Sequence, residues 1–233
     1  MVVLCFEIYE RDGHLDMDKR EMIAKRISEY FKEGDLGNLG IGLPTLVANY
    51  LPPEKNVLLH SENGFIGIGP TPEAGAEDKD MVNAGGHPVE LVPGGACFDS
   101  GFSFLLARGG HVDITVLGAL EVSEKGDLAN WMIPGVMVPG MGGAMDLVVG
   151  AKKVIIAMEH TTKKGEPKIL KECVLPLTAL GVVKHIVTEL GVMDVTPEGI
   201  VLRELAPGVT VEEIQEKTGA TLIIPEQIGN MVH

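Results

Sequence analysis

The sequence of 233 residues predicts an α/β fold with a single open, mostly parallel sheet, helices on both faces and antiparallel hairpins added to it. Three observations support this prediction. Short apolar runs alternate with amphipathic helical segments along most of the chain. Hydrophobic residues make up 45% of the sequence and aromatic residues only 4%, which indicates an aliphatic core. The 30 glycines and 14 prolines lie between apolar runs, which is typical of tight turns rather than of disorder.

The N-terminal residues differ from the rest of the chain. Residues 1–16 contain charged residues and a glycine that break any regular pattern, whereas Met17 precedes a strong helix start. We interpret residues 1–16 as an N-terminal extension that is disordered or not native, with an added edge strand over residues 2–9 as the alternative. No repeat, linker or low-complexity segment divides residues 17–233, which we predict to form one domain.

Up to residue 131 the patterns predict three helices separated by strands. The first helix has Asp18 as its N-cap, Glu21 completes a capping box, and Gly34 ends the helix. The glycine turn before Pro44 is either an anion site made of backbone N–H groups or a tight strand–helix connection. The predicted elements are a helix over 18–34, a short strand and glycine turn over 36–44, a helix over 45–50, strands over 57–61 and 89–92 (the second closed by Pro93-Gly94-Gly95), a helix from Asp99 or Ser100 to Ala107, a strand over 112–117 and a hairpin over 119–131.

The remaining chain alternates in the same way. A glycine loop over 140–148 leads into a short helix, and it either stabilises an oxyanion through backbone N–H groups or is a turn packed against a neighbour. Thr210 and Glu213 form a capping-box pattern for the last helix. The predicted elements are a strand over 154–158, a helix over 180–188, a hairpin of 192–195 with 200–205, and a helix from Thr210 to near Gly219.

Composition narrows the function classes. The formal net charge is −14 and no dense basic run occurs, so we expect no nucleic-acid partner. No uninterrupted apolar run is long enough to cross a bilayer, and we expect no membrane association. Cys5, Cys97 and Cys173 are isolated and lack metal-ligand spacing, which predicts reduced core cysteines in a cytoplasmic protein without a metal site.

Glu62 is the strongest candidate for a functional side chain. It ends an apolar run that is typical of a buried parallel strand, and ligands of open α/β sheets bind beyond the carboxyl ends of such strands. The glycines that follow, beginning with Gly64, allow positive φ angles and close approach of a ligand. From this pattern alone Glu62 is either a catalytic carboxylate or a solvated strand end.

Four blocks in this order and spacing resemble the second (β) subunits of bacterial 3-oxoacid CoA-transferases, in particular the butyrate/acetate–acetoacetate type. They also resemble the C-terminal half of the single-chain animal enzyme. The resemblance covers about residues 23–231. The blocks are Asn38-Leu39-Gly40-Ile41-Gly42-Leu43-Pro44, Ser61-Glu62-Asn63-Gly64, Arg108-Gly109-Gly110-His111-Val112-Asp113 and Gly140-Met141-Gly142-Gly143-Ala144-Met145-Asp146-Leu147.

This resemblance implies an open α/β fold related to CoA-transferases and ribose-5-phosphate isomerases, and a ping-pong reaction in which Glu62 is the nucleophile. It places an oxyanion donor at Gly143, with Gly142 as the neighbouring alternative, and Asn38 near the acyl group. Ser61, Asn63 and Gly64 join Asn38 as expected substrate-binding residues, and Ser61 and Asn63 are expected to shape the turn around Glu62. The resemblance further implies coenzyme A as a co-substrate, no permanently bound cofactor, and a separate α subunit in an α2β2 assembly.

Several alternatives stay open at this stage. The acid pair is acetoacetyl-CoA with acetate or butyrate, or else that of a succinate–3-oxoacid or 3-oxoadipate enzyme, and hydrolysis follows if water reaches the intermediate. A non-catalytic CoA- or sugar-phosphate-binding protein is the alternative from another class. Some relatives carry Lys where Gly86 stands, so no CoA-phosphate contact is assigned. His60 and His111 are interpreted as structural histidines.

Overall fold

A computed structural model of the chain describes residues 18–136 and 140–231. The predicted N-terminal extension over 1–16 and its alternative strand over 2–9 lie outside the described residues. The strands are β1 (Leu36–Leu39), β2 (Leu58–Ser61), β3 (Phe65–Ile68), β4 (Leu91–Cys97), β5 (Ile114–Leu117), β6 (Glu121–Ser123), β7 (Leu128–Ala129), β8 (Lys153–Ala157), β9 (Ile169–Leu170), β10 (His185–Val187), β11 (Gly191–Thr196), β12 (Gly199–Leu205), β13 (Leu222–Ile223) and β14 (Gly229–Asn230).

Parallel strands form the middle of the main sheet. The order β10-β8-β5-β1-β2 is parallel throughout, and strands such as β5 are buried at every residue, as expected for a sheet covered on both faces. Antiparallel hairpins extend this centre on both sides: β3 and β4 follow β2, while β11 and β12 follow β10. The predicted open, mostly parallel sheet with antiparallel additions is therefore confirmed.

Two apolar layers cover the two faces of this sheet. Helix α1 (Lys19–Ser28) packs Ile23 and Ile27 onto alternate residues of the central strands, among them Val116 and Ile155. The opposite face of the same strands, including Leu117 and Ile156, packs against α3 (Ala144–Gly150) and α4 (Val211–Glu216). Helices therefore lie on both faces, because successive side chains of a strand point to opposite sides.

Side-chain caps start the helices where the sequence predicts them. Asp18 accepts a hydrogen bond from the Arg20 N–H, and Asp99 caps α2 (Ser100–Arg108) by accepting from the Phe102 N–H. Thr210 caps α4 in the same way through the Glu213 N–H. The segment predicted as a helix over 45–50 is a 3₁₀ helix over Leu43–Tyr50, followed by a short one over Pro53–Lys55. No helix among the described residues is long and apolar enough to cross a membrane.

One predicted helix is wrong. The segment 180–188 contains no helix; it contains β10, which lies between β8 and β11 in the sheet. Val183, Ile186 and Val187 are at most 1% exposed, and β-branched side chains suit a fully buried strand. Burial on both faces of the sheet overrides the weak helical spacing of this segment.

Gly67, one of the glycines that follow Glu62, lies inside a strand instead of a turn. The chain forms β3 there, a strand that the sequence patterns do not predict, and Pro93-Gly94-Gly95 lies inside β4 instead of closing a strand. A Cβ atom on Gly95 would lie 2.9 Å from the Ile66 carbonyl oxygen, so glycine here permits close strand approach rather than a turn. Cys97 at the end of β4 is exposed and is not the core cysteine that we expected.

The hairpin predicted over 119–131 forms as the antiparallel pair β6 and β7. This pair does not join the main sheet. It forms a small second sheet with β9, which runs parallel to β6. The structure thus adds a minor three-stranded sheet to the one large sheet that the sequence predicts.

Candidate active site

The carboxyl ends of two adjacent parallel strands bring Asn38 and Glu62 together. Asn38 lies in β1 and is 1% exposed, and half-buried Glu62 directly follows β2. The Asn38 Nδ2 donates to Glu62 Oε2 over 3.2 Å. The structure therefore places Glu62 where the sequence predicts it, at the end of a buried strand and at the edge where ligands bind α/β sheets.

Gly64 permits the tight turn that carries Glu62 from β2 into β3. Its φ angle is +140°, which L-residues with a side chain rarely adopt. A Cβ atom at this position would collide with the Phe98 carbonyl oxygen, and the Phe98 N–H donates back to the Gly64 carbonyl over 2.8 Å. The glycine is thus required by close approach of the segment that precedes α2.

Ser61 and Asn63 tie the Glu62 turn to the loop over 69–90. Ser61 Oγ donates to Asn63 Oδ1 over 2.6 Å and accepts from the Ala84 N–H over 2.9 Å. Asn63 Nδ2 donates to the Val82 carbonyl over 2.8 Å. Both side chains thus hold the loop against the turn.

Three polar side chains lie side by side across the parallel sheet. Asn38 is in register with His60 of β2 on one side and with Thr115 of β5 on the other. Thr115 Oγ1 donates to Asn38 Oδ1 over 3.3 Å, and Asn38 Nδ2 also donates to the His60 carbonyl over 3.2 Å. This polar row fixes the Asn38 side chain in an otherwise apolar part of the sheet.

His60 extends this network to helix α2. Its Nε2 lies 2.8 Å from Ser103 Oγ, and Ser103 Oγ donates to the Ser61 carbonyl over 3.4 Å. Burial lowers the pKa of His60, although the nearby Glu62 carboxylate acts in the opposite direction. A neutral His60 whose hydrogen bonds are satisfied agrees with the structural role predicted for it. His111, in contrast, is exposed.

The second glycine loop reaches Glu62 at Gly143. A Cβ atom built on Gly143 would lie 3.2 Å from Glu62 Cγ and 2.9 Å from Phe104 Cε1. Gly143 is buried and precedes α3, whereas Gly142 is exposed, has a φ angle of +51° and has open space where a Cβ would lie. Neither glycine N–H donates to an acceptor among the described residues. The Gly143 backbone thus lies next to the Glu62 side chain.

An open cleft of about 860 Å³ extends from Glu62 between the 3₁₀ segments and the loop over 69–90. Its described lining is largely apolar and contains neutral amides and two histidines, His60 and His87, but no lysine or arginine. The sequence patterns do not identify this lining. Residues from several loops meet here, and only tertiary structure brings them together. Apolar lining residues include Leu39, Leu46, Leu59, Val89 and Val92.

Fold and site together define an α/β protein with a ligand cleft at the carboxyl end of its parallel strands, an arrangement typical of enzymes. The sequence model of the coenzyme A transferase family matches residues 20–217. The chain therefore belongs to the coenzyme A transferase family and is a CoA-transferase.

The relatives are subunits of CoA-transferases whose names contain different acids. The chain is 54% identical to the β subunit of the acetate CoA-transferase of Haemophilus influenzae, over 92% of this chain and 96% of that protein. It is 51% identical to the corresponding subunit of a probable succinyl-CoA:3-ketoacid coenzyme A transferase of Bacillus subtilis, over 91% of this chain and 99% of that protein. The sequence is thus that of a CoA-transferase β subunit, while the acid differs among relatives of similar identity.

The fold also matches a larger solved enzyme. The acyl-CoA transferase of Escherichia coli O157:H7, in a thioester complex with CoA, superposes with a TM-score of 0.73 at 24% identity. The match covers 95% of this chain and 44% of that one. The chain thus spans less than half the length of that enzyme, and at this identity the similarity describes the fold alone.

Proposed function

We propose that this β subunit works in the cytoplasm and moves coenzyme A between short-chain carboxylic acids, with Glu62 carrying CoA as a γ-glutamyl thioester. The observation that supports the proposal is the convergence on Glu62 of the Asn38 amide and the Gly143 backbone at one end of an open cleft. A carboxylate suits this chemistry because it is ionised near pH 7 and attacks without an external base.

Each half-reaction consists of two substitutions at carbonyl carbon. A Glu62 carboxylate oxygen attacks the acyl-CoA carbonyl, the C–S bond breaks, and CoA departs as its thiolate. A mixed anhydride between Glu62 and the acyl group remains. The thiolate then attacks the Glu62 side-chain carbonyl, the anhydride C–O bond breaks, and the first acid departs as its carboxylate. An incoming carboxylate reverses both substitutions, so that no proton or electron is gained or lost overall.

Every substitution passes through a tetrahedral oxyanion next to the Glu62 side chain. We assign its stabilisation to the Gly143 N–H, since Gly143 is buried against Glu62 Cγ while Gly142 is exposed. Asn38 Nδ2 supplies a second donor, 3.2 Å from the carboxylate. Fixed donors in a site that excludes water stabilise such an oxyanion by about 3 kcal/mol each.

A separate α subunit completes the site in this proposal, most simply in an α2β2 assembly. The described lining of the cleft contains no lysine or arginine to neutralise the CoA phosphates. Exposed apolar side chains also lie on α2 and on α3, the helix that Gly143 precedes, including Leu105 at 63% and Val149 at 75% exposure. Apolar groups that remain exposed next to a site are typical of a protein–protein interface.

The lack of lysine and arginine in the described cleft lining supports acids that carry a single carboxylate. An acid such as succinate or 3-oxoadipate brings a second carboxylate, and a buried anion needs a cationic partner that the described cleft lining does not provide. Acetate or butyrate paired with acetoacetyl-CoA avoids this cost. We therefore propose this acid pair in preference to the succinate–3-oxoacid and 3-oxoadipate types.

Steady-state kinetics of the β chain purified with its α subunit test the proposal. Reciprocal plots against acid concentration at several acetoacetyl-CoA concentrations should be parallel, because the first product leaves before the acid binds. Intersecting lines would contradict the covalent intermediate. Binding without transfer would indicate a non-catalytic CoA-binding protein, and continuous release of free CoA without an acceptor would indicate a hydrolase.

A panel of acids tests the acid pair separately. We expect kcat/KM for acetate and butyrate to exceed that for succinate and 3-oxoadipate by at least about tenfold, because an unpaired carboxylate costs more than about 1.4 kcal/mol in the cleft. A succinate value equal to that of acetate would favour the succinate–3-oxoacid alternative and leave the covalent mechanism intact.

A further inference from the structure

The polar row across the sheet directs the Asn38 N–H donor toward Glu62. His60 and Thr115, the outer members of the row, do not contact the Glu62 carboxylate themselves. Thr115 is 0% exposed and is in register with Asn38, whose amide contacts Glu62. The row is therefore buried at Thr115, and its middle member Asn38 contacts Glu62. This arrangement raises the question of what the buried hydroxyl does.

The hydrogen bonds of Thr115 and Asn38 indicate what the buried hydroxyl does. Thr115 Oγ1 donates to Asn38 Oδ1 over 3.3 Å, which leaves the Asn38 NH2 group facing Glu62 Oε2 and the His60 carbonyl, both 3.2 Å away. A flipped amide would place Oδ1 against two acceptors and Nδ2 against the Thr115 hydroxyl. The Thr115 hydroxyl could accept from Nδ2, but its own proton would then lose Asn38 Oδ1, its one acceptor among the described residues. Thr115 thus adds to the preference that the two acceptors near Nδ2 impose.

His60 reinforces the same orientation. Its Nε2 lies 2.8 Å from Ser103 Oγ, and the Ser61 carbonyl, 3.4 Å from Ser103 Oγ, gives the Ser103 proton an acceptor when Nε2 is the protonated ring nitrogen. The unprotonated Nδ1 then faces Asn38 Nδ2 over 3.4 Å. Ser103, which caps no helix end and lies within α2, thus holds the imidazole in the tautomer that suits the Asn38 amide.

We propose that Thr115 and His60 are positioning residues that fix the Asn38 amide with its N–H groups toward Glu62. This inference rests on the proposed function, because it matters only if Glu62 reacts. The same N–H that contacts the carboxylate before attack then polarises the Glu62 carbonyl of the anhydride and of the thioester. An amide free to flip would present an oxygen to these carbonyls for part of the time.

Matched variants of Thr115 test this inference in the αβ complex. Thr115→Val removes the hydroxyl at nearly constant shape and should lower kcat about tenfold, while KM for acetate and acetoacetyl-CoA changes less than about twofold. Thr115→Ser keeps the hydroxyl and should retain kcat within about twofold. Equal kcat values for both variants and the natural enzyme would overturn the inference.

A double-mutant cycle separates positioning from a general loss of structure. In an Asn38→Ala background, Thr115→Val should change kcat by less than about twofold, since no amide is left to orient. Thr218→Val removes another buried hydroxyl, one that contacts His160 instead of this row, and should leave kcat unchanged. A tenfold loss by Thr115→Val in both backgrounds, or by Thr218→Val as well, would show a structural effect only.

Glu62→Gln in the same assay keeps the two proposals distinguishable. If Glu62→Gln is inactive and Thr115→Val is fully active, the positioning inference fails and the proposed function stands. If Glu62→Gln is active, the proposed function itself fails.

Discussion

Two buried histidines, His60 and His160, have similar surroundings but belong to different hydrogen-bond networks. His60 is 1% exposed and His160 is 0% exposed, and each has ring nitrogens next to hydroxyl groups. Burial lowers the pKa of both, for His160 to about 4. His60 lies in β2 next to its last residue, and His160 follows the end of β8, so neither burial nor position near a strand end distinguishes them.

The difference lies in where each network ends. His160 lies between Thr188 Oγ1 at 3.0 Å and Thr218 Oγ1 at 2.9 Å, and these hydroxyls also lie 3.3 Å from the Gly191 carbonyl and 2.6 Å from the Ile214 carbonyl. The network is closed within the core. The network of His60 continues through Asn38 to Glu62, a half-buried carboxylate that faces a cleft. A buried polar network thus indicates a site only where it ends on a reactive group.

Replacing the end group of the open network should have the largest effect. Glu62→Gln preserves shape and removes the proposed nucleophile, and we expect kcat to fall by a factor on the order of 10⁴ or more. The thermal midpoint should stay close to that of the natural protein, since Glu62 is half-buried and its amide replacement still accepts from Asn38. Transfer assays measure kcat and calorimetry measures the thermal midpoint. An active variant would contradict the proposal that the His60 network, unlike that of His160, ends on a catalytic group.

The glycine loop beside Glu62 should show the next largest effect. In Gly143→Ala the added methyl group crowds Glu62 Cγ and Phe104, which displaces the loop donor from the oxyanion. We expect kcat to fall by about 10²- to 10³-fold, corresponding to the loss of one oxyanion donor.

Gly142→Ala is the matched comparison for this effect. It meets no neighbour within 4 Å and is strained only by its φ of +51°. We expect less than about a tenfold loss of kcat, because the left-handed strain of about 1–2 kcal/mol lowers the stability of the fold while the added methyl group crowds no neighbour. A larger loss in Gly142→Ala than in Gly143→Ala would move the donor to Gly142.

A substitution in the closed network of His160 should lower the stability of the protein and leave kcat unchanged. His160→Gln leaves at least one of the two threonine hydroxyls without its partner, and we expect the free energy of unfolding to fall by about 2 kcal/mol. Below its lowered melting temperature the variant should transfer CoA with a natural kcat. Urea denaturation and transfer assays test this prediction, and a loss of kcat in fully folded protein would contradict it.

The pH dependence of stability provides the smallest effect. The pKa of His160 falls from 6.5 unfolded to about 4 folded, so between these values the unfolded chain binds a proton that the folded chain excludes. The contribution of the neutral histidine is complete above pH 6.5 and is lost as the pH falls toward 4, by at most about 1.4 kcal/mol per pH unit.

The His160→Gln variant isolates this contribution. Acidic groups such as Asp113 and Asp194, whose pKa values are lowered by hydrogen bonds and cationic neighbours despite burial, titrate in both proteins and cancel in the difference. The gap in unfolding free energy between the natural protein and the variant should narrow from pH 7 to pH 5 at fixed protein concentration. A constant gap would mean that His160 titrates normally in the folded state.

Local patterns are sufficient to predict part of the molecule. Side-chain caps such as Asp99 and Thr210 act within three residues, and the apolar run before Glu62 marks a buried strand by itself. The short strand at 185–187 escapes such a prediction because its β-branched residues also fit one helix face, and only pairing with β8 and β11 decides between the two structures.

The polar row could not be predicted for a related reason. Nothing near Thr115 in the sequence refers to Asn38 or His60; the three meet because β5, β1 and β2 pair in one particular register. The cleft lining likewise depends on loops that are remote in sequence. The family resemblance supplies Asn38 and Gly143 as candidates, while the structure supplies the contacts by which they reach Glu62.

The most direct test is the mass of the peptide that contains Glu62 after the αβ complex has met acetoacetyl-CoA without an acceptor acid. We predict a CoA adduct on Glu62 that acetate discharges, that borohydride traps with loss of activity, and that is absent in Glu62→Gln. An unmodified Glu62 peptide in a complex that transfers CoA at full rate, or an adduct on another residue, would contradict the account.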